Sequence, residues 1–310
     1  MKYFSYKDFK LSELIKIKKI KGITVGLALP VYNESETISK TIKTILSCKG
    51  LIDELIVVDS NSFDDSVNIC ETAGIKVYKD IEATKKLKVK IQRGKGWNLW
   101  SSLYFLNTDI ILWIDSDITN ITQRFITGIA GPLICDDDLK FVKSYYKRPK
   151  SDARVTEIMV RPFTNLVFPE LNEFIQPLSG EYGGRRNFLE KIFFFSGYSV
   201  EIAILIQAMN TLSPKEVGQS YLDKRVHKLQ SVSSLGKMSA GILYTLLEFS
   251  KEYNRIKILS NVSNKLHQFI VKNGFKFIQE NVKISDKRLP KMIEIKQYNK
   301  KFYGNSTSHR

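Results

Sequence analysis

Apolar runs and helical stripes alternate along the first third of the chain. ITVGLALPVYN (23–33) begins apolar and breaks at Pro30, which predicts a strand and its exit loop. SETISKTIKTILSC (35–48) spaces Ile38, Ile42 and Ile45 along one helical face, with Ser35 as the expected N-cap. IDELIVVDSNS (52–62) reads as a second strand ending in Asp59, and SFDDSVNICETAG (62–74) as a helix stopped by Gly74. IKVYKD is a third short strand, GKGWNLWSSLYFLNTD (94–109) a Gly-rich loop and helix, and IILWID (110–115) a fourth strand. Alternation at this pitch needs crossover connections and predicts an α/β fold around a mainly parallel sheet. Ligands of such sheets bind beyond the carboxyl ends of the strands. Pro30–Glu34, Asp59–Ser62 and Asp115–Asp117 fall at those ends, so the spacing alone predicts that they meet on one edge.

After residue 120 the rhythm changes. FVKSYYKRP (141–149) reads as a strand and TEIMVRPFTNLVF as helical. QPLSGEYGGRRNFLEKIFFFSGYSVEIAILIQAMNTL reads as a turn-rich loop followed by a long helix, with Val200 to Leu212 mostly buried. Residues 236–250 and 261–271 read as helices and the Lys-rich tail after 280 as irregular. The organisation expected is a basic N-terminal segment (1–22), a ligand-binding α/β domain (23–120), a second binding region (121–245) and a basic helical or irregular extension (246–310).

Composition narrows the class. With 43% hydrophobic and 26% charged residues, the 310-residue chain can bury a sizeable core. Cys48, Cys70 and Cys135 lack CxxC spacing, which argues against a disulfide framework or zinc site and for the cytoplasm. The N-terminus lacks the pattern of a signal peptide, and no apolar run reaches the ~18 residues of a membrane span. The net charge of +16 suggests nucleic acid until it is located. Residues 1–22 carry +5 and 251–310 carry +10, leaving 23–250 nearly neutral. A solvated basic face or tail is therefore expected, and no nucleic-acid partner.

The chemistry starts at Asp115-Ser116-Asp117. Residues i and i+2 of an extended chain point the same way, so both carboxylates can face one point. Two like charges beside a buried strand are either a solvated turn or a cation site, and Mg2+ or Mn2+ is the cation that suits carboxylate oxygen and a phosphate substrate. Asn33 and Glu34 follow one strand end and Asp59 another, placed for a nucleotide or for capping the turn. QRGKGWN (92–98) offers Lys95 to phosphates but matches neither the Walker A nor the dinucleotide glycine spacing.

In order, LALPVYNE, VVDSNSFDDS, GKG and a strand ending in DSD resemble the nucleotide-sugar domain of GT-A glycosyltransferases, a Rossmann-like sheet with helices on both faces. ARVTEIMVRP, QPLSGEY, SGYSVEI and KRVHK narrow this, over roughly 23–245, to a resemblance to the glucosyl-3-phosphoglycerate synthases. The resemblance implies retaining transfer of glucose from UDP-glucose to 3-phosphoglycerate, in compatible-solute synthesis, by a homodimer with a divalent metal. By position it implies that Pro30, Asn33, Glu34, Asp59, Ser60 and Lys95 line the uridine and diphosphate, with Asp115 and Ser116 beside them. Asp117 and His227 would bind metal, Tyr198 and Glu201 would contact glucose, and Arg154, Val155 and Thr156 would take the acceptor. Asp117, Leu178, Arg154 and Glu201 would form the catalytic group. Two departures stand out: Asp152-Ala153-Arg154 replaces Gly-Gly-Arg, and Leu229 stands where an Asn is expected. The alternatives are a mannosyl enzyme using GDP-mannose, an inverting enzyme acting on a polysaccharide or lipid, and a non-catalytic polyanion-binding module. Lying outside the matched region, the basic tail is expected to be dispensable for chemistry.

Overall fold

The computed structural model describes residues 1–147, 154–227, 230–272 and 276–304. The departures at Ala153 and Leu229 lie outside them. Strands β1 (Lys2–Ser5), β2 (Val25–Val31), β3 (Glu54–Asp59), β4 (Lys76–Lys79), β5 (Ile110–Trp113), β6 (Phe141–Lys147), β7 (Tyr182–Arg185) and β8 (Val217–Lys224) form one sheet among these residues, in the order β1-β8-β6-β7-β5-β2-β3-β4. Only β7 runs antiparallel to its neighbours, β5 and β6. The mainly parallel α/β sheet is therefore as the alternation predicts.

Helices cross between strands: α1 (Leu11–Lys21), α2 (Ile38–Leu46), α3 (Ser66–Thr72), α4 (Asp80–Leu87), α5 (Lys95–Phe105) and α6 (Gln123–Cys135). Two apolar layers result. One gathers β2, β5, α2 and α6 residues such as Leu27, Leu29, Ile42 and Ile129. The other packs Ala28, Trp113, Trp97 and Trp100 against α9 (Val200–Thr211), reached through a π-helical turn (Thr156–Val160), α7 (Arg161–Val167) and the short α8 (Arg186–Leu189). β2 and β5 are covered on both faces, which explains their unbroken apolar runs.

The α2 helix starts at Ile38, three residues past the expected N-cap: Glu34 O accepts from Thr37 N (3.0 Å) and Ile38 N (2.9 Å), so Ser35 lies inside a turn that precedes the helix, its N–H donating to Asp64 (3.0 Å). β7 lies inside the stretch that reads as a turn-rich loop. Its Gly183-Gly184 pair looks like a breaker, but a Cβ there would stand 2.8 Å from Ile111 O and 2.9 Å from Lys140 O. The glycines allow a strand to squeeze between β5 and β6.

The C-terminal region also differs. The long α10 (Val232–Glu252) covers the predicted helix at 236–250. Residues 261–271, however, lead into a two-stranded hairpin, β9 (Lys265–Lys272) with β10 (Lys276–Lys283). Leu266, Phe269 and Ile270 imitate helical spacing in what is a strand. The tail is ordered beyond it, with α11 (Lys296–Tyr303) and with Leu289, Met292 and Tyr298 buried in the core. Tyr298 donates to Glu190 at 2.8 Å and accepts from Arg186 at 2.9 Å. The N-terminus is likewise built in: β1 extends the sheet beside β8, and Lys18 of α1 donates to Gly50 O at 3.0 Å.

Candidate active site

Sheet register brings the strand ends together. Val31 pairs with Asp59 and Ala28 with Trp113, so β2, β3 and β5 finish on one edge. Antiparallel β7 begins where β5 ends, Tyr182 facing Trp113, and delivers Gly180 and Glu181 to the same edge. β8 runs out there into Arg225 and His227; an isolated bridge couples His227 to Ile118, just past the DSD turn. Side chains fasten the exits. Ser116 Oγ donates to Pro30 O (2.8 Å), Thr37 Oγ1 to Ser116 O (2.6 Å), and Asn98 Nδ2 to Val58 O (2.8 Å) and Ser60 Oγ (2.9 Å).

A groove of about 520 Å³ follows this edge, walled by Pro30, Glu34 and Ser60 on one side and by Lys95, Asp115–Asp117 and Tyr198 on the other. Exposed Tyr32 and Phe63 meet edge-to-face at 6.2 Å at its rim, an aromatic pair that the sequence reading passes over. Asn33 and Asp59 lie behind the groove. Asp59 accepts from Ser62 N (3.0 Å) and Oγ (2.5 Å), and Asn33 Oδ1 accepts from Phe63 N (3.0 Å), so both shape the loops. A smaller cavity of about 140 Å³ adjoins, lined by Arg154, Val155, Thr156, Leu178, Glu201 and His227. The two spaces share Lys95, Asp115, Asp117 and Tyr198.

Between them lies a charge network. Lys95 Nζ sits 2.6 Å from both Asp115 Oδ1 and Glu201 Oε1. Arg225 spans Asp115 Oδ2 (3.1 Å), Asp117 Oδ1 (3.0 Å) and buried Glu181 Oε1 (2.8 Å). Burial alone would lower the affinity of Lys95 for its proton, but Asp115 and Glu201 outweigh it and hold the ammonium charged. Burial would raise the Asp115 carboxyl, and Lys95 and Arg225 pull it below the usual range. Glu181 goes the other way: burial raises it despite Arg225. Lys143, enclosed beneath the site, donates to Ser179 O at 2.6 Å, and burial brings its ammonium down to about 7 against the pull of Glu201. Arg225, Glu181 and Lys143 are absent from the residues singled out by sequence. Arg225 carried a signal, standing two positions before His227 in KRVHK. Glu181, just before β7, stands in QPLSGEY and Lys143 of β6 in FVKSYYKRP, but nothing local in either stretch marks its charge as buried.

Among the described residues, no three His, Cys, Asp or Glu side chains close around one point. The donor set fits a cation that takes few protein ligands and completes its shell on phosphate, as Mg2+ and Mn2+ do. Asp117 has an oxygen on Arg225, and Asp115 and His227 line the same cavity.

The chain matches the family model "Glycosyl transferase family 2" over residues 27–194. It is 36% identical over 313 residues to glucosyl-3-phosphoglycerate synthase of Petrotoga mobilis, covering 96% of this chain and 95% of that protein. This chain belongs to the glucosyl-3-phosphoglycerate synthase family. The Mycobacterium tuberculosis synthase is 37% identical over 239 residues, 73% of each chain. Its crystal structure in complex with Mn2+, UDP-glucose and phosphoglyceric acid superposes with a TM-score of 0.83 at 33% identity, covering 93% of this chain and 96% of that one. Another holds Mg2+ and UDP. Mannosyl-3-phosphoglycerate synthase of Rubrobacter xylanophilus shares the fold, with a TM-score of 0.88 at 27% identity over 95% of this chain and 97% of that one. The GT-A fold expected from the resemblance is the fold of these glycosyltransferases. Among the described residues, no helix is long and apolar enough to cross a membrane.

Proposed function

We propose that this enzyme transfers glucose from UDP-glucose to 3-phosphoglycerate with retention of configuration, aided by Mg2+ or Mn2+. The observation that carries this reading is the meeting of two spaces at one charged seam: a groove sized for a nucleotide sugar and a small cavity bearing Arg154. Arg154 presents a planar guanidinium to a trianionic acceptor, with Thr156 beside it, which suits bidentate oxyanion binding. Pro30, Glu34 and Ser60 would hold the uridine end, and Tyr198 and Glu201 the sugar. Lys95 stands where the diphosphate would leave, and its fixed charge favours the developing anion over the ground state. Asp117 and His227 would hold the divalent cation, which when bound adds positive charge against the leaving diphosphate. Asp115, Glu181 and Glu201 are each ion-paired to Lys95 or Arg225, an arrangement suited to balancing charge at the seam rather than to the nucleophile-and-acid pair of a retaining glycosidase. Attack from the face that the nucleotide leaves, with Leu178 lining the acceptor side, accounts for retention without a covalent nucleophile.

The shared fold of the mannosyl enzyme supports a second donor reading, GDP-mannose, whereas the higher identities belong to glucosyl enzymes. A turnover screen of UDP-glucose, GDP-glucose and GDP-mannose against 3-phosphoglycerate and glycerate, with and without Mg2+, separates them. Metal-dependent UDP release only with UDP-glucose and 3-phosphoglycerate is the expected result; preference for GDP-mannose would overturn it. We further propose a cytoplasmic homodimer, which sedimentation of the purified protein tests.

A further inference from the structure

The C-terminal segment past the hairpin packs against the back of the active-site loop, and three stretches of chain stack there. The middle one is the loop 194–199, which carries Tyr198 and leads into α9. On its inner side the start of α5 is tied to it: Gly96 N donates to Gly197 O (3.2 Å) and Trp97 N to Ser196 O (2.9 Å). On its outer side Ser196 N donates to Lys287 O (2.9 Å), Lys287 N to Ser196 Oγ (3.0 Å), and Leu289 N to Phe194 O (2.8 Å). Asp286 closes the stack: its Oδ2 accepts from Ser199 Oγ (2.6 Å) and Ser199 N (3.1 Å). The packing leaves no room for side chains. A Cβ on Gly94 would lie 2.8 Å from Ser196 O, one on Gly197 would overlap the Asp286 carboxylate, and one on Gly241 of α10 would lie 3.0 Å from Asp286 Oδ2.

We propose that Asp286 is a positioning residue for the transfer reaction: it anchors the N-terminus of α9 and so holds Glu201, Lys95 and the Tyr198 loop in register with the donor. This rests on the glucosyl-transfer reading above. Ser199 is the N-cap of α9, its own side chain caps nothing in the helix, and the Asp286 carboxylate takes its N–H and hydroxyl. A carboxylate at a helix N-terminus is favourable because the first N–H groups have no partner within the helix. Glu201 lies in that first turn and supplies one of the two carboxylates on Lys95. If the turn frays, Glu201 recedes and Lys95 leans to Asp115 alone. Arg154 and Thr156 stand on a different element and do not share this support.

Steady-state kinetics with both substrates and calorimetric UDP binding, with and without Mg2+, test the proposal on Asp286→Ala, Asp286→Asn and Ser199→Ala. In Asp286→Ala, kcat/KM for UDP-glucose should fall roughly tenfold or more, as small misplacements of catalytic groups do. UDP affinity should fall with it, while KM for 3-phosphoglycerate stays unchanged. Asp286→Asn keeps an oxygen able to accept both bonds and should remain close to wild type. Ser199→Ala loses one of the two bonds and should fall between, which decides the matter if Asp286→Ala does not fold. Wild-type donor kinetics in Asp286→Ala, an equal loss in Asp286→Asn, or a lowered melting temperature with both KM values and kcat unchanged would overturn the proposal. If the wild type fails to glucosylate 3-phosphoglycerate, the functional reading fails by itself, and the UDP affinities still decide the role of Asp286.

Discussion

Replacing Arg225 with Met isolates the charge network. The guanidinium is almost wholly buried and is the partner of Glu181 Oε1 at 2.8 Å, while Glu181 Oε2 makes no hydrogen bond among the described residues. Met keeps much of the volume and leaves Glu181 enclosed without a cation. Removing one partner of a buried pair costs about 3–5 kcal/mol, against a total stability of about 5–15 kcal/mol. The melting temperature should drop by on the order of 10 °C at neutral pH. The sign with pH follows from Glu181. Burial already lifts its carboxyl above the ordinary range, and losing Arg225 lifts it further. An acid with a raised folded-state pKa binds its proton more tightly when folded, so its penalty is absent below the unfolded pKa and grows as pH rises through the folded one. The deficit of Arg225→Met should thus be smallest near pH 4 and fully developed above the raised pKa of Glu181. Thermal and urea unfolding followed by circular dichroism from pH 4 to 8 would measure it. Arg225→Met/Glu181→Gln should recover a large part of the loss. A deficit independent of pH, with no recovery in the double variant, would refute the reasoning.

Asp117→Ala should lower turnover by on the order of 10²-fold, the scale of losing one preorganised electrostatic stabiliser; normal turnover in EDTA would reduce the carboxylate pair to a solvated turn. His227→Ala should lower the rate and raise the metal concentration needed for half-maximal rate, read from Mg2+ and Mn2+ titrations. Arg154→Ala should raise KM for 3-phosphoglycerate while leaving metal dependence unchanged, and an altered metal requirement would move Arg154 from the acceptor to the donor. Truncation after Ser285, expected from sequence to spare turnover, should instead abolish cooperative unfolding, because it removes Asp286 and the buried Leu289, Met292 and Tyr298; a fully active truncated chain, by the same calorimetric and kinetic measures, would contradict that.

The chain's own pattern specifies the α/β class, the parallel core and the edge on which Pro30, Asp59 and Asp115 meet, because strand–helix period and strand-end position are local properties. It also carried the family, through motifs whose spacing survives without knowledge of contacts. Contacts between distant segments set the remainder. Whether the glycines of YGGR break a strand or let one pass depends on how close Ile111 and Lys140 come. Whether Leu266, Phe269 and Ile270 form a helix or a strand depends on the partner strand at Lys276–Lys283. Asn33 holds the loop after β3 because Phe63 N, 30 positions away, comes within 3.0 Å of its side chain in the folded chain, whereas Asp59 accepts from Ser62 only three positions on, the turn capping already open to it in the sequence. Arg225, Glu181 and Lys143 became one network only when β6, β7 and β8 were laid side by side, since Coulomb energy depends on distance and burial, not on separation along the chain. For the same reason a tail that reads as solvated lysine closes the back of the active site: its few apolar residues and Asp286 face inward while the lysines stay in water.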